Sequence, residues 1–177
     1  YYVKFKVKET GEDIVIATTR PELLNACGAV IYNPADERYK HLKGKHAIVP
    51  LYGKVVPILE HEYAKPEFGT GLVMMCSYGD THDVWFFREL KLEATILINP
   101  DGTMNENAGF LKGLKVDEAR ERIAEKLASE GLIVKVEELE HELPVCWRCK
   151  TPVEFIHMKE YFLKQLEFKD EILKVAD

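Results

Sequence analysis

The chain has 177 residues and a formal net charge of −6, with 46% hydrophobic and 31% charged residues. This length suits one domain, and this composition excludes a disordered or collagen-like chain. No apolar run approaches the roughly 20 residues of a membrane-spanning helix. Because the chain is acidic, bulk charge cannot hold nucleic acid, and any RNA contact must be local.

The four cysteines are spaced irregularly, and only Cys146 and Cys149 lie close together in sequence. This is a poor disulfide framework, so we expect a reducing, cytoplasmic setting. The chain begins inside a predicted strand, with neither an initiator Met nor a charged leader. We therefore expect a piece of a larger cytoplasmic protein with no membrane partner.

Alternating apolar and polar residues predict that the chain opens with a β-hairpin, over residues 1–8 and 13–18, with a turn at 10–12. Short segments rich in β-branched residues, bounded by Asn-Pro and Tyr-Gly turns, predict the strands that follow. These strands cover residues 29–32, 46–51, 54–59, 71–76, 95–99 and 132–136.

The clearest predicted helix has apolar residues at Val116, Ala119, Ile123 and Leu127, with charges on its other face, and ends at Gly131. A shorter helix is predicted over 81–90, and the tail over 160–176 is compatible with a helix. The sequence therefore predicts a β-rich fold, with a β-barrel core and peripheral α-helices.

The first candidate site is the segment 18–22, Thr-Thr-Arg-Pro-Glu, where a strand ends against a proline. Arginine offers a planar donor fork suited to phosphate, and threonine hydroxyls can bond a ribose or a carbonyl. The alternative is a polar strand end with a surface Arg20–Glu22 ion pair.

The second candidate site joins Phe68-Gly69-Thr70-Gly71 to the carboxylates that follow the next strand, Asp80 and Asp83. Glycines let backbone amides approach a ligand closely. Two carboxylates three residues apart at a helix start can face one ligand, holding an ammonium group and a hydroxyl. The alternative is that Asp80 caps the helix and Asp83 only complements its dipole.

The third candidate is Cys146-Trp147-Arg148-Cys149, which is typical of one knuckle of a zinc ribbon. One knuckle supplies two of the four ligands that structural zinc requires. We therefore expect the second pair to lie outside this chain, or the site to be empty. A redox pair is the alternative, but the thioredoxin-like context for it is missing.

Taken in order, these clusters resemble the editing domain of class I aminoacyl-tRNA synthetases, particularly that of archaeal-type valyl-tRNA synthetase. The isoleucyl enzyme typically has Pro-Trp-Thr after the threonines, and the leucyl enzyme lacks the Asp-Glu-Arg-Tyr stretch. The resemblance runs from about residue 1 to residue 162. The segments that carry it are 16–22 (Ile-Ala-Thr-Thr-Arg-Pro-Glu), 33–39 (Asn-Pro-Ala-Asp-Glu-Arg-Tyr), 68–71, Gly79-Asp80 with Asp83, 101–104 (Asp-Gly-Thr-Met) and 146–149.

The resemblance implies hydrolysis of the ester that joins threonine to tRNA(Val), with water as the nucleophile and no cofactor for editing. It matches Asp80 to the anchor of the substrate ammonium and Asp83 to the group that recognises the threonine hydroxyl. The implied catalytic residues are Asp80, Thr18 and Thr19. The implied substrate contacts are Asp83, Arg20, Phe68, Thr70, Met74 and Cys76.

The sequence departs from the bacterial valyl pattern, which typically has lysine and threonine where this chain has Met74 and Cys76, and threonine in place of Leu23. These changes affect which groups complete the pocket. Two other functions stay open, namely removal of valine within an isoleucyl-tRNA synthetase and a non-catalytic insertion that only grips the tRNA end.

The implied organisation is an editing domain over residues 1–142. A return segment over 143–177 would run as a zinc knuckle and a C-terminal helix toward the parent catalytic domain. Zinc at Cys146 and Cys149 would be shared with a second knuckle of the parent. ATP and Mg²⁺ would belong only to the parent catalytic domain, and the expected partners are the mischarged tRNA 3′ end and the rest of the synthetase.

Overall fold

A computed structural model describes residues 1–140 and 143–176. The domain boundary predicted after residue 142 falls on residues outside these ranges. The described residues contain three α-helices and seven strands. The helices are α1 (Thr81–Glu89), α2 (Val116–Ser129) and α3 (Lys169–Ala176), and the strands are β1 (Tyr2–Val7), β2 (Asp13–Ala17), β3 (Cys27–Tyr32), β4 (His46–Ile48), β5 (Val55–Glu60), β6 (Leu72–Cys76) and β7 (Ile133–Lys135).

The strands form one mixed sheet in the order β2-β1-β4-β5-β3-β6, with β7 pairing β1. The β3–β5 pair is parallel, and the other five pairs are antiparallel. The two ends of this path, β2 and β6, contact each other, so the sheet forms a nearly closed barrel. The predicted β-barrel core with peripheral helices is confirmed.

The opening hairpin is confirmed, with Phe5 opposite Ile14 and Val3 opposite Ile16. These four side chains point into the barrel and are at most 5% exposed. Burial of each such side chain contributes roughly 1.5–3 kcal/mol, so alternation in the sequence decides which face of the hairpin turns inward.

Helix α2 buries the four apolar residues that predicted it, against the barrel. Gly131, at φ 68°, follows its end as expected. Helix α1 agrees with its prediction to within one residue. At the other end of the chain, the structure narrows the tail helix to α3, preceded by a 3-10 turn over Gln165–Phe168.

The prediction of a strand over residues 95–99 is wrong. Only an isolated bridge, Ile98 to Met104, occurs there. The side-chain amides of Asn105 and Asn107 both donate to the carbonyl oxygen of Ile96, at 2.8 and 2.9 Å. Because side chains satisfy this backbone group, the segment forms a local loop instead of joining a ladder.

Candidate functional site

The barrel closure brings the first two candidate segments together. The Thr70 hydroxyl donates to the carbonyl oxygen of Val15 on β2 at 2.7 Å. A Cβ atom added to Gly69, at φ 58°, would lie 2.8 Å from Cβ of Ala17, so only glycine permits this close approach. The loop before β6 therefore lies directly against the end of β2, which Thr18 and Thr19 follow in the chain.

The two threonines differ in their surroundings. The Thr18 hydroxyl accepts a hydrogen bond of 3.0 Å from the backbone N–H of Arg20, which tightens the turn at the strand exit. Thr19 is exposed. Phe68 stands on the neighbouring loop with 61% of its surface exposed. Hydroxyl groups and an open aromatic ring thus border the same strand exit.

Arg20 is held in place by three partners. Its Nε atom donates to Glu22 at 3.0 Å and its Nη1 atom donates to the carbonyl oxygen of Gly79 at 3.1 Å. Its Nη2 atom donates to Glu154 at 2.6 Å. The bond to Gly79 joins the first candidate segment to the second, so the structure places both in one site.

Glu22 is fully buried, and Arg120 on α2 also donates to it, at 3.0 and 3.1 Å. The Arg20–Glu22 pair given above as the alternative is therefore present, but its carboxylate is buried and also binds a second guanidinium. Arg120 follows Ala119 at the edge of the apolar face of α2, and that adjacency is the only sequence signal for it. No local pattern indicated Glu154.

Asp80 and Asp83 differ sharply in exposure. Asp80 is exposed and caps α1, because its Oδ1 atom accepts from the backbone N–H of Asp83 at 2.8 Å. Within the described residues, its Oδ2 atom carries no hydrogen bond. The cap that we gave as an alternative is present, and it leaves one oxygen of Asp80 available to a ligand.

Asp83 is only 8% exposed, and its Oδ1 atom accepts from the backbone N–H of Cys76 at 3.0 Å. Burial, together with the negative charge of Asp80, raises its pKa to about 7. A Cβ atom added to Gly79 would lie 2.3 Å from Oδ2 of Asp83, so a larger residue there would displace this carboxyl group. At neutral pH this carboxyl group can therefore donate or accept a hydrogen bond.

Strand β6 turns Met74 and Cys76 toward the interior of the barrel, on the same face as Leu72. The Cys76 thiol is buried and donates to the carbonyl oxygen of Leu23 at 3.4 Å. Burial raises its pKa well above the usual value, so it acts as a small apolar residue and not as a nucleophile. The Thr70 hydroxyl is likewise not a nucleophile, because it is engaged in the hydrogen bond to β2.

Cys146 and Cys149 form a tight turn in the return segment. The backbone N–H of Lys150 donates to the carbonyl oxygen of Cys146, and that of Cys146 donates to Thr151, both at 2.8 Å. The pKa of Cys149 is lowered to about 7. The largest cause is a hydrogen bond with the Thr151 hydroxyl, followed by hydrogen bonds with the Thr151 backbone and with Cys146. Such thiols fit a zinc knuckle, but residues 1–140 and 143–176 contain no cluster of three or more metal-ligating side chains.

Comparison with known proteins identifies the family of this chain. A family model described as "Leucyl-tRNA synthetase, editing domain" matches residues 31–128. The chain therefore belongs to this family of hydrolytic aminoacyl-tRNA synthetase editing domains. The resemblance inferred from the sequence is confirmed.

Curated relatives named valine–tRNA ligase match nearly the whole chain. That of Aeropyrum pernix is 58% identical over 99% of the chain, and that of Pyrobaculum aerophilum is 54% identical over 99%. The chain spans 21% and 22% of their respective lengths. The likeness to the archaeal valyl type is thereby confirmed.

A solved structure shows the same fold. The leucyl-tRNA synthetase of Agrobacterium radiobacter K84, in a ternary complex with tRNA and LeuAMS, superposes with a TM-score of 0.58 at 22% identity. The match covers 73% of this chain and 18% of that one.

Among the described residues, no helix is long and apolar enough to cross a membrane.

Proposed function

We propose that this domain hydrolyses the ester joining threonine to the 3′-terminal ribose of tRNA(Val), as part of a valyl-tRNA synthetase. The observation that carries the proposal is the pairing of exposed Asp80 with buried Asp83 at the start of α1, beside Arg20 and the threonines. The valine–tRNA ligase relatives support the choice of tRNA.

The need for such a reaction follows from the shapes of valine and threonine. A hydrophobic pocket that fits valine discriminates weakly against an isostere that adds a hydroxyl, as valyl-tRNA synthetase itself exemplifies. A second site that requires the hydroxyl supplies the missing discrimination. Asp83 fits this task because a buried carboxyl group is costly to leave without a hydrogen-bond partner.

Asp80 is assigned to the substrate ammonium. Its Oδ2 atom is available within the described residues, and an opposite charge at hydrogen-bond distance holds the amino acid end of the substrate. Every aminoacyl ester carries this ammonium group. Asp80 therefore supplies affinity and position, and Asp83 supplies selectivity.

The reaction adds water to the ester carbonyl. The tetrahedral intermediate then expels the ribose oxygen, which takes up a proton, and the products are free threonine and a tRNA with its terminal hydroxyl restored. Thr18 and Thr19 are assigned to hold the attacking water together with the neighbouring ribose hydroxyl. Arg20 and Phe68 border the terminal adenosine, and Thr70, Met74 and Cys76 shape the wall behind the amino acid.

The remaining partners belong to the parent enzyme. ATP and Mg²⁺ serve its catalytic domain, editing uses no cofactor, and the parent charges tRNA in the cytoplasm. Cys146 and Cys149 would complete a zinc site with a second knuckle of the parent. The return segment over 143–177 leads back to that catalytic domain.

The test is deacylation of threonyl-tRNA(Val), valyl-tRNA(Val) and valyl-tRNA(Ile) by this domain and by the full-length enzyme. We expect rapid loss of only the threonyl ester. Preferential hydrolysis of valyl-tRNA(Ile) would assign the domain to an isoleucyl enzyme instead. Binding of all three without hydrolysis by either protein would make the domain a non-catalytic clamp on the tRNA end.

A further inference from the structure

Two aromatic rings pair at the rim of the site without entering the core. The rings of Tyr63 and His82 lie 5.0 Å apart between centroids, with 32° between their planes. Tyr63 is 39% exposed and His82 is exposed as well. Because both rings remain partly open to solvent, the pair presents aromatic surface that a ligand can contact.

The loop that carries Tyr63 is fixed against α1. The His61 ring packs edge-on against buried Phe86, with centroids 5.2 Å apart. The backbone N–H of Tyr63 donates to Nδ1 of His61 at 3.2 Å, and the next residue, Ala64, is fully buried. The backbone that carries Tyr63 is thus fixed before any ligand arrives, which lowers the entropic cost of binding.

The ring pair adjoins the two carboxylates. His82 lies between Asp80 and Asp83 in the first turn of α1. Burial raises the pKa of the Tyr63 phenol, and the charges of Asp80 and Asp83 raise it further, which puts the ring within their field. A substrate whose ammonium group is held at Asp80 therefore has these rings beside it.

We propose that Tyr63 and His82 form a stacking platform for the unpaired nucleobase immediately 5′ of the esterified terminal nucleoside. This inference rests on the proposed function, because that function supplies a single-stranded RNA end at Asp80. Single-stranded RNA is commonly held by stacking of its bases on aromatic side chains. A net charge of −6 makes bulk attraction of phosphates weak, so stacking at this aromatic pair would add to RNA affinity beside any local ion pair at Arg20.

The test compares two substrates in the full-length protein that contains this domain. One is the threonyl ester of a short RNA hairpin ending in CCA, and the other is threonyl-adenosine, which has no preceding base. In the double variant Tyr63→Ala/His82→Ala, we expect the preference for the RNA ester, as the ratio of kcat/KM values, to fall about tenfold through KM. Tyr63→Phe/His82→Phe keeps both ring faces and should restore the ratio.

A hairpin with an abasic residue before the terminal adenosine provides the thermodynamic cycle. The abasic substrate and the double alanine variant should each lose about tenfold, and combining them should cost no more than either alone. Full additivity, an unchanged ratio, or an equal loss in the phenylalanine variant would each overturn the platform. Phe110→Ala serves as the control, because Phe110 is an exposed ring stacked on Tyr52 in a part of the fold that carries no site residue.

Binding of the uncharged hairpin separates this inference from the proposed function. If no ester is hydrolysed but the hairpin still binds about tenfold more weakly to the double alanine variant, the platform stands and the hydrolytic proposal fails. If threonyl-tRNA is hydrolysed but hairpin affinity and the substrate ratio do not change in that variant, only the platform fails.

Discussion

The Nη2 atom of Arg20 donates a hydrogen bond of 2.6 Å to Oε2 of Glu154, a residue 134 positions later in the chain. The two side chains are 22% and 21% exposed. Nearby, the rings of Tyr78 and His157 lie 6.0 Å apart. The return segment thus contacts the site at the point where we place the terminal adenosine, and Glu154 occupies one edge of the guanidinium.

We predict that Glu154→Gln lowers KM for threonyl-tRNA several-fold and leaves kcat unchanged, because an anion of the substrate no longer competes with Glu154 for Arg20. Glutamine still offers an acceptor oxygen and Arg20 keeps its bond to Glu22, so the free energy of unfolding should change by about 1 kcal/mol or less. Steady-state deacylation kinetics check this, with Glu125→Gln, in the exposed pair with Arg122, as control. A higher KM would mean that Glu154 positions Arg20 instead of competing for it.

We predict that Asp80→Asn abolishes threonyl-tRNA hydrolysis and preserves stability. Asparagine caps helices as well as aspartate does, but it offers no charge to the substrate ammonium. Asp80→Ala should lose the same activity and, in addition, about 1 kcal/mol of unfolding free energy. Single-turnover deacylation and urea denaturation of both variants measure the two effects separately. Full activity in Asp80→Asn would reduce Asp80 to a helix cap.

Asp83 should make the protein less stable as pH rises. Its pKa is raised to about 7 in the folded state, whereas an unfolded aspartate titrates near 4. Between these values the folded state binds more protons, so unfolding free energy falls as pH increases from about 4 to about 7 and is then level. The total change from this residue is on the order of 4 kcal/mol at most. Urea denaturation at several pH values should show this slope, and Asp83→Asn should remove it. An equal slope in the variant would contradict the assignment.

We predict that Asp83→Ala lowers the selectivity of hydrolysis for the threonyl ester over the valyl ester. The side-chain hydroxyl is the polar difference between threonine and valine. When valine enters the site, buried Asp83 is left without that hydrogen-bond partner, which penalises valine. The variant removes both the attraction and the penalty, so the threonyl-to-valyl rate ratio should fall. The ratio is measured at matched concentrations of folded protein. If both esters slow in proportion, Asp83 serves only the helix.

The cysteine pair should bind zinc tightly only in the full-length protein. Two thiolates leave half of a tetrahedral zinc shell to water, and affinity depends on completing it. Metal content after dialysis against a chelator distinguishes the cases, with Cys146→Ser as control. Stoichiometric zinc retained by a monomer of residues 1–177 would contradict this expectation.

Local patterns in the sequence sufficed for the elements whose burial is periodic. The hairpin over β1 and β2 and the helix α2 were predictable because a strand alternates every two residues and an amphipathic helix every 3.6. The segment 95–99 failed because Asn105 and Asn107, up to eleven positions away, satisfy its backbone. The strand propensity of residues 95–99 contains no information about these distant hydrogen-bond partners.

The sequence by itself determined which residue types are available to the site and in what order, and through them the family. Only the tertiary structure decided that the two carboxylates differ in burial and in pKa. Asp83 is buried beside Gly79 and Cys76, which raises its pKa, whereas Asp80 is exposed. It also decided that Glu22 is a buried partner of two arginines, one of them 98 positions away. Desolvation and ion pairing depend on what packs around a group in three dimensions, and sequence neighbours do not specify that.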